Sequence, residues 1–409
     1  MTAKRTRANG EGSIFPCRYG FAAYVWVNKP DGKRQRKYVY GKTREDVHAK
    51  WINLQHRAKD GPVATRVPTL KAFLAYWLEE IVRPNLAPAT YVGYEMFCRL
   101  YLVPDLGGRR LDRLQLSEVQ RWINQVAKTC QCCRQGRDAG RLPTRQRCCA
   151  VGNCCQHLPA ASTVKDLRAT LRAALTHAIT EELITRNVAA LVKLPAGRKR
   201  RRKAWNTEDA QRFLESVREY GDALYAAYVL ALVMGLRKGE LLGLSWDDVD
   251  LDKGELRVGW QLQRIGRRLI RRRTKTEESD GTLPLVDICV VALKQRREIQ
   301  EAAREDAGKA WQDVDNLVFT TRYGTPVEPR NFNRAWDARV TPAKVPRITV
   351  HDARRTCASL LVDLDVHPRI VMQILRHADF SITMEVYSQV TSKATRDALK
   401  RLGESLDGP

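Results

Sequence analysis

Between His351 and Tyr387 the chain reads HDARRTCASLLVDLDVHPRIVMQILRHADFSITMEVY. A histidine and an arginine, His351 and Arg354, open the stretch three residues apart, and His377 precedes Tyr387 by ten residues at its close. Two imidazoles, a guanidinium and a phenol gathered without a carboxylate cluster suit attack on a phosphodiester. The cations would hold the phosphate and the phenol would be the nucleophile.

The elements that must position these groups follow from periodicity. Ala353, Cys357, Leu360, Leu361 and Leu364 recur at helical spacing, which predicts a helix with His351 and Arg354 together on another face. Pro368 suits a first helical position, and Ile370, Val371, Ile374 and Leu375 form a second apolar stripe that ends before His377. Ser381 is the expected cap of a short helix carrying Tyr387.

The chain of 409 residues is too long for one core, so two or three domains are expected. Its 71 basic against 46 acidic residues give a net charge of +25, which attracts a polyanion, DNA or RNA. A membrane surface would require a basic amphipathic helix or a lipid anchor, and the sequence offers neither. The start MTAKRTRANG lacks the apolar run of a signal peptide, and the longest apolar run, 223–236, is too short to span a bilayer. Eleven cysteines without an export signal argue against a disulfide framework. A soluble intracellular protein is expected.

Residues 1–62 read as a small β-rich domain. Phe21–Val27 and Arg34–Tyr40 are strand-like around an Asp31-Gly32 turn, and Thr43 with Asp46 predicts a helix start. Lys33, Arg34, Arg36 and Lys37 make one hairpin arm basic, either as a solvated edge or as a ribbon set against DNA. Residues 66–194 read as all-α, with a stripe of Phe73, Leu74, Trp77, Leu78 and Ile81 and further helices over 90–102, 117–126, 162–184 and 187–194. Ser117 is the expected cap of the helix over 117–126.

That helical domain is interrupted at 129–158 by CQCCRQGRDAGRLPTRQRCCAVGNCCQH and its flanks. Cys130, Cys132, Cys133, Cys148, Cys149, Cys154, Cys155 and His157 supply eight candidate ligands, enough for two tetrahedral zinc ions in a structural role. Adjacent Cys-Cys pairs are awkward for one metal, and the alternative is a thiol-rich surface insertion. Residues 195–204 form a basic linker with Arg198, Lys199, Arg200, Arg201, Arg202 and Lys203, suited to lie along phosphates.

Residues 205–409 form the last domain, a mixed α+β, mainly helical one. GLRKGELLGLSWDDVDL places Arg237 at a turn after a buried helix, with Glu240 three residues on. Glu255–Gln263, Leu269–Thr274 and Leu283–Val286 are strand-like, made intensely basic by Arg264, Arg267, Arg268, Arg271, Arg272 and Arg273. Lys275 lies at the turn TKTEES.

The set Arg237, Lys275, His351, Arg354, His377 and Tyr387, in this order and at these spacings, resembles the active site of the tyrosine recombinase (phage integrase) family. The layout upstream is similar to that of heterobivalent integrases of phages and integrative elements, with a β-rich arm-binding domain before a helical core-binding domain. The Cys-rich insertion is not general to the family and is reminiscent of some actinobacterial members. Two departures stand out: Arg376 occupies a place where the family usually has a small Gly, and Gly281 one where it often has Arg.

The resemblance implies site-specific DNA recombination through a 3′-phosphotyrosine, with Tyr387 as nucleophile and Arg237 and Arg354 clamping the non-bridging oxygens. Lys275 would be the general acid, His351 a general base or positioning group, His377 a phosphate donor and Glu240 an orienting carboxylate. It also implies no metal or nucleotide for catalysis, double-stranded attachment sites as substrate and a tetramer at synapsis. An excisionase or host bending protein would assist the reverse reaction. A resolvase, transposase or type IB topoisomerase-like strand passer on the same fold, or a non-catalytic DNA-binding protein, are the alternatives.

Overall fold

A computed structural model describes residues 14–18, 20–28, 34–60, 67–194, 204–274, 281–376, 384 and 387. The chain divides into two compact units, Met1–Arg198 and Lys199–Pro409, so the expected first and second domains share one unit. Each still has its own apolar core. Among the described residues no helix is long and apolar enough to cross a membrane.

The first unit begins with an antiparallel sheet of β1 (Phe15–Cys17), β2 (Gly20–Asn28) and β3 (Arg34–Gly41), followed by α1 (Arg44–Asp60). The Thr43 hydroxyl accepts from the Asp46 N–H at 3.2 Å, the cap that its spacing predicts. Alternation gives the sheet two unlike faces. Val25, Val27 and Val39 pack on Leu54 and Ala58 of α1. On the other face Trp26 pairs with Arg36 and Tyr24 with Tyr38, and Trp26, Tyr38 and Tyr40 are exposed.

The helical part contains α2 (Leu70–Tyr76), continued by a π-helical turn Trp77–Val82, then α3 (Pro88–Phe97), α4 (Leu116–Lys128) and α5 (Ala161–Thr180). Phe73, Leu74, Trp77 and Leu78 are buried as their stripe requires. Ser117 lies inside α4 and Gln115 holds the cap position, so the expected cap is two residues off. Asn187 caps a single 3-10 turn, Val188–Leu191, rather than a longer helix.

The second unit is built around Trp205, Phe213, Tyr228, Phe332 and Trp336, whose rings stack and tilt on one another with Trp205 and Trp336 centroids 5.4 Å apart. The helices are α6 (Thr207–Glu219), α7 (Tyr225–Val233), α8 (Lys238–Gly243), α9 (Asp287–Ala307), α10 (Pro329–Val340), α11 (Val350–Asp363) and α12 (Pro368–Leu375). α7 is apolar all round and buried, as a helix enclosed by others must be.

Strands β4 (Val249–Asp250), β5 (Glu255–Val258) and β8 (Gly281–Pro284) make one sheet. β6 (Trp260–Ile265) and β7 (Arg268–Arg273) make a separate hairpin. The single strand expected over 255–263 is therefore two, broken at Gly259.

Candidate active site

α7 ends at Gly235, whose φ of +61° turns the chain back on itself. A side chain there would meet Leu375 Cδ2 at 2.4 Å and Cys357 Sγ at 3.2 Å, so the turn requires glycine both for its backbone and for the approach of α11 and α12. This close approach brings the two arginine segments together.

Arg237 occupies the N-cap of α8 and Glu240 its third position. The Glu240 carboxylate accepts from the Arg237 backbone N–H at 2.9 Å and from its Nη1 at 2.6 Å, fixing both backbone and guanidinium. Arg237 Nη2 also donates to the Arg376 carbonyl at 3.4 Å.

Arg354, one turn into α11, is buried. It donates through Nη1 to the Gly235 carbonyl at 2.7 Å and through Nη2 to the Leu375 carbonyl. His351, three residues earlier on the same helix, is exposed, whereas Arg354 is buried with Ala353 and Cys357. A buried guanidinium needs carbonyl acceptors, and the ends of α7 and α12 provide them. Leu364 and Ile370, read as stripe residues, are exposed, while Cys357, Val371 and Leu375 form the seam between α11 and α12.

The residue that the sequence reading treated only as a departure, Arg376, completes the arrangement. It adopts φ 50°, ψ 54°, the left-handed cap of α12, where a glycine would sit at no steric cost. Its side chain folds back to Glu240, Nη2 to Oε2 at 2.6 Å, and both side chains are buried. A side chain at Gly281 would meet Arg376 Cδ at 3.8 Å. The two departures from the family pattern are thus neighbours, with the long side chain of one filling the space beside the other. The signal for this was a charged residue at a position demanding a helix-ending turn.

Three guanidiniums surround one carboxylate. Burial would raise the Glu240 carboxyl, but Arg376 and Arg237 outweigh it and hold it below its ordinary value. Burial, then Arg237, pushes Arg354 down to about 9, with Glu240 opposing. Burial likewise pushes Arg376 down against Glu240. Such an uncompensated positive site stabilises an added anion, and a phosphate is the anion that two planar forks grip best.

Tyr387 packs against Cys357, Ala358, Val371 and Leu375 and donates its hydroxyl to the Val366 carbonyl. Burial, then Asp365, pushes the phenol above its ordinary value. Lys275, His377 and Ser381 lie outside the described residues, as do Lys33 and Arg198, Lys199, Arg200, Arg201, Arg202 and Lys203 of the linker.

The expected DNA-contact residues divide. Arg34 and Arg36 share the exposed sheet face with Trp26, and Arg36 stacks 4.8 Å from both the Trp26 and Tyr24 rings. Lys37 alternates to the opposite face, that of Val25 and Val39, and so does not belong with them. Arg271 is taken up inside its domain, donating to the Gly243 carbonyl at 3.0 Å and to Asp248 at 3.3 Å with its guanidinium over Trp260. Arg272 is half-buried and Arg273 exposed on β7. The sequence reading missed the aromatic partners Trp26, Tyr38 and Tyr40, although their period-two alternation with Arg34 and Arg36 announces them. It also missed a hollow of about 560 Å³ lined by Lys238, Arg264, Arg330, Arg334 and Asn333 together with Glu328, which pairs with Arg264. Of the eight Cys and His candidates in the insertion, six bring their sulfurs together in two groups of three.

Comparison with known proteins gives a concordant result. The Phage integrase family model matches residues 205–394, and the Phage integrase, N-terminal SAM-like domain model matches residues 69–127. A tyrosine recombinase XerC-like protein of Caldanaerobacter subterraneus subsp. tengcongensis is 28% identical over 393 residues, covering 91% of this chain and 93% of the relative. An integrase of Saccharopolyspora erythraea is 25% identical over 98% of both chains. In fold, the chain is similar to the Tn1549 transposon integrase solved with transposon right end DNA, with a TM-score of 0.63 at 20% identity over 82% of this chain and 99% of that one. Matches to both domains and relatives spanning nearly the whole length lead to one conclusion: the chain belongs to the phage integrase family of tyrosine recombinases, as a tyrosine-type site-specific DNA recombinase.

Proposed function

We propose that this recombinase integrates a phage or other mobile element by cutting and rejoining two double-stranded attachment sites, and that the described site is its phosphate clamp. The observation that carries the reading is the meeting of Arg237 and Arg354 at the Gly235 turn, with Tyr387 packed on the same α11–α12 seam.

In the forward step the Tyr387 oxygen attacks the scissile phosphorus, its proton leaving to a base. The bond to the 5′-oxygen breaks, and a 3′-phosphotyrosine and a 5′-hydroxyl result. Arg237 and Arg354 hold the non-bridging oxygens as charge builds, and Glu240 orients Arg237. His351 serves as base or positioning group, Lys275 protonates the leaving oxygen and His377 donates to the phosphate. The phosphotyrosine conserves the bond energy, so strand exchange needs neither nucleotide nor catalytic metal.

The exposed aromatic and basic face of β2 and β3 supports a second DNA contact, at arm-type sites distinct from the core sites. The Tn1549 integrase was solved on transposon DNA and the lambda integrase as a dimer on a core site, which supports DNA as partner and self-association. We extend this to a tetramer at synapsis in the bacterial nucleoid, with an excisionase or host bending protein in the reverse reaction. A same-fold resolvase or transposase shares the chemistry and differs in the product.

Incubation with nicked duplexes carrying candidate attachment sequences tests the chemistry. A protease-sensitive covalent complex should form without added metal and should be lost in Tyr387→Phe. A complex that survives this substitution assigns the nucleophile elsewhere. Recovery of integration rather than resolution products from paired sites separates the two readings.

A further inference from the structure

Seven of the eleven cysteines fall in the insertion between α4 and α5, and none of the eleven is in a disulfide. Their sulfurs are sorted into two trios. Cys130, Cys133 and Cys154 form one and Cys132, Cys148 and Cys149 the other, the three sulfurs of each lying within 4.8 Å of one another. Individual separations are 3.5 Å for Cys133–Cys154 and for Cys132–Cys148, 3.4 Å for Cys149–Cys132 and 3.8 Å for Cys148–Cys149. These are far beyond a disulfide bond. They are close to the edge, about 3.8 Å, of a tetrahedron of sulfurs at about 2.3 Å from a zinc ion.

The backbone overcomes the difficulty that adjacent cysteines present. Cys132 and Cys133 project from the helical turn Gln131–Arg134 into different trios. Cys148 adopts φ −146°, ψ −102°, which lets its sulfur and that of Cys149 converge. Cys155 stands between the trios: its sulfur is 3.8 Å from Cys130, and it lines one cavity with Cys132 and Cys148.

The surroundings are those of a thiolate cluster. The Gln156 N–H donates to Cys154 Sγ at 3.4 Å. Asp138, fully buried, accepts from the N–H groups of Arg147, Cys148 and Ala150 and so pins the loop that carries Cys148 and Cys149. Arg137, Arg141 and Arg147 line a cavity of about 400 Å³ beside Cys132, Cys148 and Cys155, where their charge offsets excess thiolate; Arg141 also pairs with Asp138 at 3.0 Å. The segment is tied to the helical domain by Arg134, which donates to Asp105 at 2.8 Å and to the Leu100 carbonyl.

We propose that the insertion binds two Zn²⁺ ions through seven thiolates, Cys130, Cys133 and Cys154 holding one, Cys132, Cys148 and Cys149 the other, and Cys155 bridging both. The thiols lose their protons as the ions bind, so loading releases protons and weakens in acid. His157 lines the same cavity, and its carbonyl accepts from the Gln131 N–H at 2.8 Å; in this arrangement Cys155, not the imidazole, completes both sites. The role is structural: the ions replace the apolar core that a Gly- and Arg-rich connection of this length lacks. It does not depend on the recombination chemistry.

Elemental analysis of the full chain, purified under reducing conditions, should give two zinc ions per chain. Cobalt substitution should add a thiolate-to-metal charge-transfer band and the strong visible absorption of tetrahedral sites. Cys133→Ser and Cys155→Ser should lower the metal content, while Cys17→Ser and His157→Gln should leave it at two. In case the serine variants fail to fold, chelator treatment of the wild-type chain followed by limited proteolysis provides a second readout, with new cleavage expected within 130–158 and prevented by zinc. One ion or fewer per chain, or unchanged proteolysis after metal removal, overturns the proposal. Loss of one ion in His157→Gln overturns the bridging role of Cys155.

Discussion

Arg376 and Glu240 form a buried ion pair at 2.6 Å, each side chain only 3% exposed, although 136 residues separate them in sequence. Glu240 simultaneously holds Arg237 by backbone and side chain. One carboxylate therefore locks the end of α12 to the start of α8 and sets the orientation of a phosphate-clamping arginine.

Replacing Glu240 by Gln keeps the shape and removes the charge, leaving buried guanidiniums without a counterion. Breaking a buried pair in this way costs about 3–5 kcal/mol, read as the unfolding transition of the second unit in denaturant. Because Glu240 is held below its ordinary carboxyl value, its contribution is complete above the unfolded-state value near 4.5 and is lost as pH falls through the lower folded-state value. The stability of Glu240→Gln should accordingly vary less with pH in that acid window. Strand cleavage should fall by about 100-fold as Arg237 loses its positioning. Wild-type cleavage in this variant would show that Arg237 does not depend on Glu240.

Arg376→Gly and Arg376→Ala remove the same ion pair, but only glycine accepts φ 50° without a Cβ penalty. Glycine should therefore be the more stable of the two by about 1 kcal/mol in urea unfolding. Equal stabilities would mean that the left-handed turn relaxes when the ion pair is gone.

Tyr387 must leave the Val366 carbonyl to reach a phosphorus atom, and its phenol is pushed up by burial and then by Asp365. A higher phenol pKa lowers the fraction of phenolate at any given pH, so the cleavage rate should rise with alkalinity. Asp365→Asn removes the repulsive charge and should move that rise to lower pH, measured as single-turnover cleavage of a nicked substrate. A rise at unchanged pH would place its origin outside the phenol.

Arg34 and Arg36 lie on the open sheet face, whereas Lys37 lies on the face that packs against α1. Arg34→Ala and Arg36→Ala should each weaken arm-type DNA binding and reduce the slope of log affinity against log salt by about one. Lys37→Ala should change the slope little. Equal effects from all three would return the contact to the strand edge.

Much of the molecule was legible in order along the chain because its signals are local. Spacing alone predicted the α1 start at Thr43, the buried α7 and the α12 start at Pro368, since capping and periodicity act within a few residues. Residue types and order also identified Arg237, Arg354 and Tyr387 as candidate chemistry. Periodicity set Arg354 beside His351 on a face away from the stripe but did not show that Arg354 is buried, because a stripe argument sees one helix and not the carbonyls of Gly235 and Leu375 that receive the guanidinium. Likewise the ion pair of Arg376 with Glu240, the withdrawal of Arg271 onto Gly243 and Asp248, and the sorting of seven cysteines into two trios all depend on partners distant in sequence. The sequence by itself determined which groups are available and on which elements they ride. Only the tertiary structure decided which are buried and paired, because desolvation and counter-charge are properties of the packed chain and not of any segment.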